Sequence, residues 1–302
     1  MIFAVGDIGV DFNVAVDHLP GPDEKVHTSD AYVNAGGVIV NFAAAAVRLG
    51  SQVSICGRVG TDPLGVTAVS QLKAAGVVTE HVREDPTIST YYSVAIVDRD
   101  GEKRLIVVES PSLYPAEDQV SGRLPLGTEW CHTVPYDLSA AIELAKAAQG
   151  TGVPLSVDLE PATFANRSLS EFIPLLRRCD SVILNRRAAA MLADTEGAAA
   201  DLIRRVGAKV VVVTLGDAGV LVSANGRKQR IPGFVTDVVD STGAGDVFAA
   251  AYVHWRLMEE SPFEAARYAA AAGAFACQAM GAQGSLPTEA NVRDLVAAGS
   301  TS

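Results

Sequence analysis

Basic residues are scarce in this chain, and their scarcity excludes a class of partner. The 302 residues include 24 Lys and Arg against 35 Asp and Glu, a formal net charge of -11. A nucleic-acid-binding protein needs a basic surface, so we expect no such partner. A small anionic ligand remains compatible with the charge, because local dipoles and one or two cations are enough to bind it.

Cysteines and long apolar runs are scarce as well. The four cysteines lie far apart without a CxxC pair, so we expect neither a disulfide scaffold nor a structural zinc site. No apolar run approaches the length of a membrane span, so we expect no membrane partner. The N-terminal stretch MIFAVGDIGVD has no basic leader and is typical of a first β-strand. We therefore expect a cytoplasmic protein.

Two common nucleotide-binding motifs are missing too. The sequence has no GxxxxGK[ST] segment, and the glycine-rich helix start near residue 243 lacks the third glycine and the early strand of a dinucleotide fingerprint. If a nucleoside triphosphate binds, a different architecture must hold it.

Short Val-rich runs alternate with helical stretches along most of the chain. The run DPLGVTAVSQLKAAG, for example, predicts a helix that is opened by Asp62-Pro63 and closed by Gly76. Later helical stretches precede the strand-like runs VPLSVDL, SVILN and AKVVVVTLG. This alternation predicts an α/β fold with a parallel sheet that is buried on both faces. In such sheets ligands bind beyond the carboxyl ends of the strands.

Two intervals, at about 12–34 and 88–109, break the alternation with period-two strand patterns. The second contains a hairpin turn at Asp100-Gly101. They predict a small flap that stands off the main sheet, with an ordinary antiparallel edge of that sheet as the alternative. No linker or repeat divides the chain, so we expect one domain with a lid.

The stretch DSTGAGDVFAAAYV (240–253) carries the chemistry. It follows a strand-like run, GFVTDVV (233–239), and leads into a helix. The free N–H groups of Gly243, Ala244 and Gly245, together with the helix dipole, are expected to bind an anion. Asp246 is then placed to accept a proton from a hydroxyl beside that anion. An anion hole, a base and a hydroxyl predict phosphoryl transfer to an alcohol, with a purely structural glycine-rich helix start as the alternative.

The position of Asp246 also creates a tension. The helix dipole is expected to lower the pKa of its carboxyl and so to weaken the base. In a loose transition state the alcohol loses its proton late, so a positioned carboxylate still contributes roughly 10²–10⁴-fold.

Four segments stand out at 35–65 (AGGVIVNFAAAAVRLGSQVSICGRVGTDPLG), 211–220 (VVVTLGDAGV), 240–246 (DSTGAGD) and 281–287 (GAQGSLP). In order and spacing they resemble segments of the ribokinase-like (PfkB) carbohydrate kinases. The resemblance spans almost the whole chain. It implies a ribokinase-like three-layer αβα sandwich with a mostly parallel central sheet and a small β-lid. It further implies a single kinase domain over 1–302, with a lid formed by about 12–34 and 88–109.

The resemblance also implies roles for individual residues. The catalytic set is Asp246 as the base, with Gly243, Ala244 and Gly245 as the anion hole. The sugar-binding set is Asp11, Gly37 and Asn41, with Asp23 and Gly36 as additional candidates. The ATP site is lined by Asn185, Thr214 and Gly216, with the helix around Gly273 and Cys277 beside the adenine. A monovalent cation site, for K⁺, is implied at Asp240, Thr242, Ala276, Ala279, Gly281 and Ser285.

The sequence departs from the family pattern at two positions. Members of the family usually carry an NxxE segment whose Glu orders the water shell of Mg²⁺, and here Ala188 replaces that acid. Either Asp158 or Glu160 takes over, or ATP itself holds the magnesium. Val38, directly after the glycine pair, predicts an apolar wall where several relatives carry a polar residue. On the lid, Lys103 and Arg104 are candidates to meet an anionic substituent, or else form an exposed charged pair.

Together these features predict an ATP- and Mg²⁺-dependent kinase that phosphorylates the hydroxymethyl group of a sugar or sugar derivative. The expected partners are this small-molecule sugar and ATP. A nucleoside or other small-alcohol kinase, a non-catalytic sugar or nucleotide sensor and a Rossmann-type dehydrogenase are the alternatives. Lids of related enzymes often mediate dimers, so a homodimer through the lid near Tyr91-Tyr92 is one expectation and a monomer the other.

Overall fold

The computed structural model describes residues 1–100 and 102–299. In chain order the strands are β1 (Ile2–Val5), β2 (Gly9–Val16), β3 (Ala31–Gly36), β4 (Val53–Gly60), β5 (Val78–Asp85), β6 (Tyr92–Asp98), β7 (Lys103–Val108), β8 (Trp130–Thr133), β9 (Leu155–Leu159), β10 (Ser181–Asn185), β11 (Val210–Thr214), β12 (Val220–Ala224) and β13 (Arg227–Ile231). The helices are α1 (Val38–Arg48), α2 (Pro63–Ala74), α3 (Glu117–Val120), α4 (Leu138–Thr151), α5 (Leu169–Leu176), α6 (Arg186–Ala190), α7 (Glu196–Arg205), α8 (Ala244–Leu257), α9 (Pro262–Ala276) and α10 (Glu289–Ala298).

The larger of two sheets runs in the order β13-β12-β11-β10-β9-β8-β1-β4-β5. Within this order, the seven strands from β11 to β5 pair with one another in parallel. β12 and β13 extend one edge with antiparallel pairing. The mostly parallel central sheet predicted from the sequence is therefore confirmed.

Two hydrophobic cores cover the two faces of this sheet. Alternate residues of β1 divide between them, with Ile2 and Ala4 in one core and Phe3 and Val5 in the other. The first core contains buried residues of α1, α8 and α9, and the second contains buried residues of α4, α5 and α7. Successive side chains of a strand point to opposite faces, so the sheet lies between two helical layers. This confirms the predicted three-layer αβα sandwich.

A second, four-stranded sheet has the order β3-β2-β6-β7. β2 pairs antiparallel with β3 and parallel with β6, and β6 pairs antiparallel with β7. The strands of the two interrupting intervals thus pair with one another and not with the large sheet. Of the predicted hairpin turn, Gly101 lies outside the described residues. β3 ends directly before α1, so this small sheet is joined to the region where β1 ends and α1 begins.

Local sequence patterns predicted the start of α2 correctly and a strand at 233–239 wrongly. α2 begins at the predicted Asp62-Pro63 pair, and the Asp62 carboxylate accepts the amide of Gly65 at 2.9 Å. The predicted strand at 233–239 is wrong, because these residues form no regular element. Pro232 has no N–H with which to extend β13, and the side chains of Val235 and Val238 are 73% and 66% exposed, so they do not pack into the core.

In the part of the chain that the structure describes, no helix combines the length and the apolar character needed to cross a membrane.

Candidate active site

A cavity of about 710 Å³ opens between the small sheet and the carboxyl ends of the large sheet. One face of the small sheet contributes Asp11, Ser93 and Lys103 to its wall. Residues that follow β8 and β9, such as Tyr136 and Glu160, form the opposite wall. The position agrees with the general rule that parallel sheets bind ligands beyond the carboxyl ends of their strands.

The glycine turn and the start of α8 form one end of the cavity. Gly243 caps the helix with φ 78°, and a Cβ there would lie 2.7 Å from the Ala282 Cα, so only glycine fits. A Cβ on Gly245 would meet nothing within 4 Å. The Ala244 amide was predicted to be free, but it donates to the Ser241 carbonyl at 3.3 Å. The amides of Gly243 and Gly245 have no protein partner among the described residues.

Asp246 lies in the first turn of α8, 9% exposed, and is held by a chain of side-chain amides. Asn41 Nδ2 donates to Asp246 Oδ2 at 2.8 Å. Gln283 Nε2 donates to Asn41 Oδ1 at 3.0 Å and to the Ala35 carbonyl at 2.9 Å. The predicted sugar-binding Asn41 therefore lines the cavity but uses its amide to fix the orientation of Asp246.

The pKa of Asp246 moves in the direction opposite to the one expected from the helix dipole. Burial raises it well above its usual value, the hydrogen bond from Asn41 lowers it, and the negative charges of Glu160, Asp158 and Asp7 raise it further. Loss of hydration is the largest cause, because the carboxylate is almost fully buried. The higher pKa makes Asp246 a stronger base than the sequence predicted.

Asp11 lies on β2 at the lid side of the cavity. Its Oδ1 accepts the hydroxyl of Ser93, and burial raises the pKa of its carboxyl. A Cβ on Gly36 would lie 2.3 Å from the Asp11 Cγ, so glycine at position 36 leaves room for that carboxylate. Gly36 therefore acts next to Asp11 and does not itself line the cavity.

The start of α1 is anchored by a carboxylate that sequence reasoning did not assign to the site. Asp7 accepts the amides of Val38 and Ile39 at 2.9 and 3.1 Å and the Tyr91 hydroxyl at 2.9 Å. Gly37, with φ 119°, leaves space for these groups, because a Cβ there would lie 2.5 Å from the Tyr91 hydroxyl. Val38 lines the cavity, as does Gly37.

Asp23 is the predicted sugar-binding residue that the structure keeps away from the cavity. It is exposed in the connection between β2 and β3, with φ 60°. Asp is one of the residues that tolerate this left-handed conformation, so a turn role explains it.

The predicted ATP-site residues lie outside the cavity, at neighbouring strand ends and on α9. Asn185 and Thr214 are register partners at the carboxyl ends of β10 and β11, and Asn185 Oδ1 caps α6 by accepting the Ala188 amide at 2.9 Å. Gly216, with φ 65°, starts the next turn. A Cβ on Gly273 would lie 3.2 Å from the Ala244 carbonyl oxygen, so α9 packs closely against the start of α8. The carbonyl of Cys277 accepts the amides of Val239 and Asp240 at 2.8 and 3.2 Å, which ties α9 to the glycine turn.

Two of the predicted cation-site residues, Thr242 and Gly281, bond to a third, the carboxylate of Asp240. Its Oδ1 accepts the amide and hydroxyl of Thr242 at 2.9 and 2.7 Å, and its Oδ2 accepts the amide of Gly281 at 2.9 Å. Burial alone would raise the pKa of Asp240, but these hydrogen bonds lower it below its usual value. Ala276, Ala279 and Ser285 lie at the end of α9 and in the segment after it. Within residues 1–100 and 102–299 no cluster of three or more His, Cys, Asp or Glu is arranged to hold a metal.

Two carboxylates are candidates to replace the missing acid, Asp158 near the carboxyl end of strand β9 and Glu160 directly after that strand. Asp158 is 8% exposed and has no hydrogen-bond partner among the described residues. Burial and the charge of Glu160 raise its pKa well above the usual value. Glu160 accepts the Tyr136 hydroxyl. Ala188 is fully buried at the start of α6.

Lys103 and Arg104 are neighbours on β7, and their side chains point to opposite faces of the small sheet because successive residues of a strand alternate. Lys103 lines the cavity and its Nζ donates to the Thr242 hydroxyl at 2.9 Å. Arg104 is exposed and pairs with Glu102 at 3.4 Å. Of the two, only Lys103 is placed to meet a bound molecule.

Sequence reasoning missed the site roles of Asp7, Tyr136, Arg167 and Gln283. The first three follow β1, β8 and β9, and the rule that ligands bind beyond strand ends would have pointed to those segments. Gln283 lies within the GAQGSLP segment that resembles the kinase family, but the segment alone does not show which groups its side chain contacts.

Comparison with known proteins gives consistent matches. The model of the pfkB family carbohydrate kinases matches residues 1–289. The ATP-dependent ribose-1-phosphate kinase of Halopiger xanaduensis is 30% identical over 289 residues, 95% of this chain and 95% of that protein. The ribokinase of Bacillus subtilis is 30% identical over 305 residues, 98% of this chain and 99% of that protein. The structure of Arabidopsis thaliana ribokinase complexed with ribose and ATP superimposes with a TM-score of 0.80 at 25% identity, covering 98% of each chain.

Proposed function

The chain belongs to the pfkB family of carbohydrate kinases, and from this premise we propose that it transfers the γ-phosphoryl group of ATP to a hydroxymethyl group of a sugar or sugar derivative. One observation carries the assignment of roles. The buried carboxylate of Asp246, fixed by Asn41, and the glycine turn at Gly243 line the same cavity. A base and an anion-binding turn are thereby held side by side.

In the proposed reaction the acceptor sugar lies between Asp11 and Asp246. The attacking hydroxyl forms a bond to the γ-phosphorus while the bond from that phosphorus to the β,γ-bridging oxygen breaks, which leaves ADP. Asp246 accepts the hydroxyl proton. The amides of Gly243 and Gly245, at the positive end of α8, stabilise the charge on the transferring phosphoryl group.

The proposal places ATP on the side of the turn away from the sugar. Asn185, Thr214 and Gly216 would border the nucleotide, and α9 near Gly273 would lie beside the adenine. Mg²⁺ bound to ATP neutralises phosphate charge. The unpartnered oxygens of Asp158 fit a hard cation that is held through water, so we propose that Asp158 and Glu160 supply the acidic groups that Ala188 does not.

A monovalent cation and a lid belong to the same proposal. The ionised Asp240, at the loop that contains Gly281, supplies negative charge beside the proposed K⁺ site. The small sheet would act as a lid that covers the bound sugar and keeps water from competing as the acceptor. We further propose that the outer face of this sheet joins two copies of the chain into a homodimer.

The function is tested by measuring ADP formation with a panel of pentoses, hexoses, ketoses, sugar acids and nucleosides. Asp246→Asn should lower kcat by about 10² or more with little change in the affinity for ATP, because only proton transfer is lost. Asp294→Asn, at an exposed position on α10, is the matched control and should behave like the wild type. Near-normal turnover of Asp246→Asn would contradict the mechanism, and sugar or ATP binding without ADP formation in the wild type would favour a sensor.

A second candidate is an acceptor that already carries an anionic group. Arg167 lines the cavity, and its guanidinium donates to the carbonyls of Thr163 and Tyr136 at 3.2 and 3.0 Å. It forms no ion pair within the described part of the chain, so its charge is available to a ligand. The same panel decides the question through a matched pair, ribose and ribose 1-phosphate. A higher kcat/KM for the phosphorylated sugar would favour this candidate.

A further inference from the structure

We propose that Lys103, the first residue of β7, is a catalytic residue whose ammonium group binds the transferring phosphoryl group opposite the amides of the Gly243 turn. The inference rests on the proposed phosphoryl transfer and adds to it a cation that the lid supplies. The phosphoryl site would then be complete only when the small sheet lies against the start of α8.

Lys103 joins the small sheet to the glycine turn by a direct hydrogen bond. Lys103 Nζ donates to Thr242 Oγ1 at 2.9 Å, across 139 residues of sequence. Thr242 directly precedes Gly243, and its hydroxyl donates in turn to Asp240 Oδ1 at 2.7 Å. An ammonium group has three donors, so Lys103 keeps N–H groups for a second ligand while Thr242 holds it in place.

The charge of Lys103 lies in the same cavity as the proposed base and the proposed sugar contact. Lys103, Asp11, Gly243 and Asp246 all line it. Burial raises the pKa of Asp11, and the charge of Lys103 offsets part of that rise. The same charge acts together with hydrogen bonds to lower the pKa of Asp240. The ammonium group therefore acts on the proposed sugar contact and on the turn at once, within the cavity in which we propose the transfer.

Phosphoryl transfer requires positive charge near the group that is transferred. In the transition state of the transfer, the phosphoryl group carries negative charge on its equatorial oxygens, and enzymes stabilise that charge with Lys, Arg or metal ions. The cavity wall has one other basic side chain among the described residues, Arg167, which is held by carbonyls after β8 and within the turn after β9. Val38, at the start of α1, brings no charge. Lys103 is thus the cavity cation that contacts the glycine turn.

A merely structural tether would give the same contact with Thr242, so the experiment must separate the two roles. Lys103→Met removes the charge, Lys103→Arg keeps it, and Arg104→Met is the matched control because Arg104 pairs with Glu102 outside the cavity. For each variant we would measure kcat, the KM of the sugar, and two affinities by calorimetry. The first is for ADP alone, and the second is for ADP with aluminium fluoride and the sugar, a mimic of the phosphoryl group in transfer.

The proposal expects Lys103→Met to lower kcat by about 10²–10³-fold, the loss typical of one anion-stabilising donor. The affinity for the aluminium fluoride complex should fall by a comparable factor, while the affinity for ADP alone and the KM of the sugar change little. Lys103→Arg should recover much of both losses, and Arg104→Met should match the wild type.

The outcomes separate this inference from the function on which it rests. An active wild type with Lys103→Met equal to Arg104→Met would overturn the role of Lys103. Equal losses of affinity for ADP alone and for the aluminium fluoride complex would overturn it as well, and would indicate a tether. A wild type that forms no ADP with any acceptor would instead contradict the proposed function. Unchanged thermal unfolding of each variant confirms that folding is intact.

Discussion

Asp246 is a residue whose neighbours act on its pKa in opposite directions. Burial and the nearby carboxylates Glu160, Asp158 and Asp7 favour the protonated form, while the hydrogen bond from Asn41 favours the ionised form. Asn41 can donate only if its amide nitrogen faces Asp246, and Gln283 fixes this orientation by donating to the Asn41 oxygen at 3.0 Å. Gln283 is therefore a positioning residue for the proposed base.

Gln283→Leu should move the acid limb of the pH profile of kcat/KM to higher pH. Without Gln283 the Asn41 amide is free to rotate, its hydrogen bond to the ionised Asp246 weakens, and the pKa of Asp246 rises further. Activity lost on the acid side should return at higher pH, since the base is then ionised. Gln278→Leu, in the same segment but bonded to the Thr236 hydroxyl, is the control. An acid limb that stays in place in Gln283→Leu would contradict the role.

The sequence predicted residue types at this site better than it predicted their contacts. Asp11, Asn41 and Asp246 lie together as expected, because motif spacing and the strand-end rule fix where side chains gather. The sign of the pKa change at Asp246 was predicted wrongly, since burial depends on tertiary packing that a motif does not contain. For the same reason Asp23 was included although its turn carries it to the surface.

At the scale of a single element, the start of α8 contains two glycines that differ in kind. Gly243 is required by the fold, with a left-handed φ of 78° and no room for a Cβ beside Ala282. Gly245 is helical and has open space where a Cβ would lie. A glycine with free space beside it costs helix stability without a packing reason, which favours a role in ligand approach.

The two alanine variants should therefore separate folding from function. Gly243→Ala should destabilise the protein by roughly 1–3 kcal/mol through backbone strain, before any clash with Ala282 is added. Gly245→Ala should leave the free energy of unfolding unchanged or raise it by up to about 1 kcal/mol, because alanine is the better helix former. Its turnover should nevertheless fall, since the methyl group takes space next to the phosphoryl group. Urea unfolding and steady-state kinetics measure both effects, and full activity of Gly245→Ala would argue that no anion binds there.

The sequence predicted a helix correctly where local residues fix its start. It predicted a strand wrongly where contacts with residues far along the chain determine the conformation. The Asp62-Pro63 pair fixes the start of α2 through its own side chain and backbone. The run at 233–239 has a strand pattern, but Pro232 interrupts the hydrogen-bond ladder of β13. The amide of Val239 bonds instead to the Cys277 carbonyl at the end of α9. That partner lies far along the chain, so no local pattern could indicate it.

At the scale of the whole molecule, the small sheet has one face toward the cavity and one face away from it. Lys103, Leu105 and Val107 of β7 line the cavity, so Ile106 and Val108 face away from it. Cross-strand pairing places Val33, Phe12, Val94 and Ile106 in one row on this outer face. Ile106, Val33 and Val108 are 56%, 40% and 39% exposed. A contiguous apolar patch of this kind is typical of an interface, which is the basis of the proposed homodimer.

Ile106→Lys should therefore weaken self-association of the whole protein. A lysine in the centre of the apolar row would face a second lysine across a two-fold interface, where burial and like charge both oppose contact. Sedimentation velocity over a range of protein concentrations should show dimers for the wild type and monomers for the variant. Leu126→Lys, at a fully exposed position before β8, is the control and should sediment like the wild type. A wild type that remains monomeric at every concentration would refute the dimer.

Since Lys103 and Ile106 belong to the same strand, a dimer would also hold the proposed catalytic lysine in place. Ile106→Lys should then lower kcat more than Leu126→Lys does.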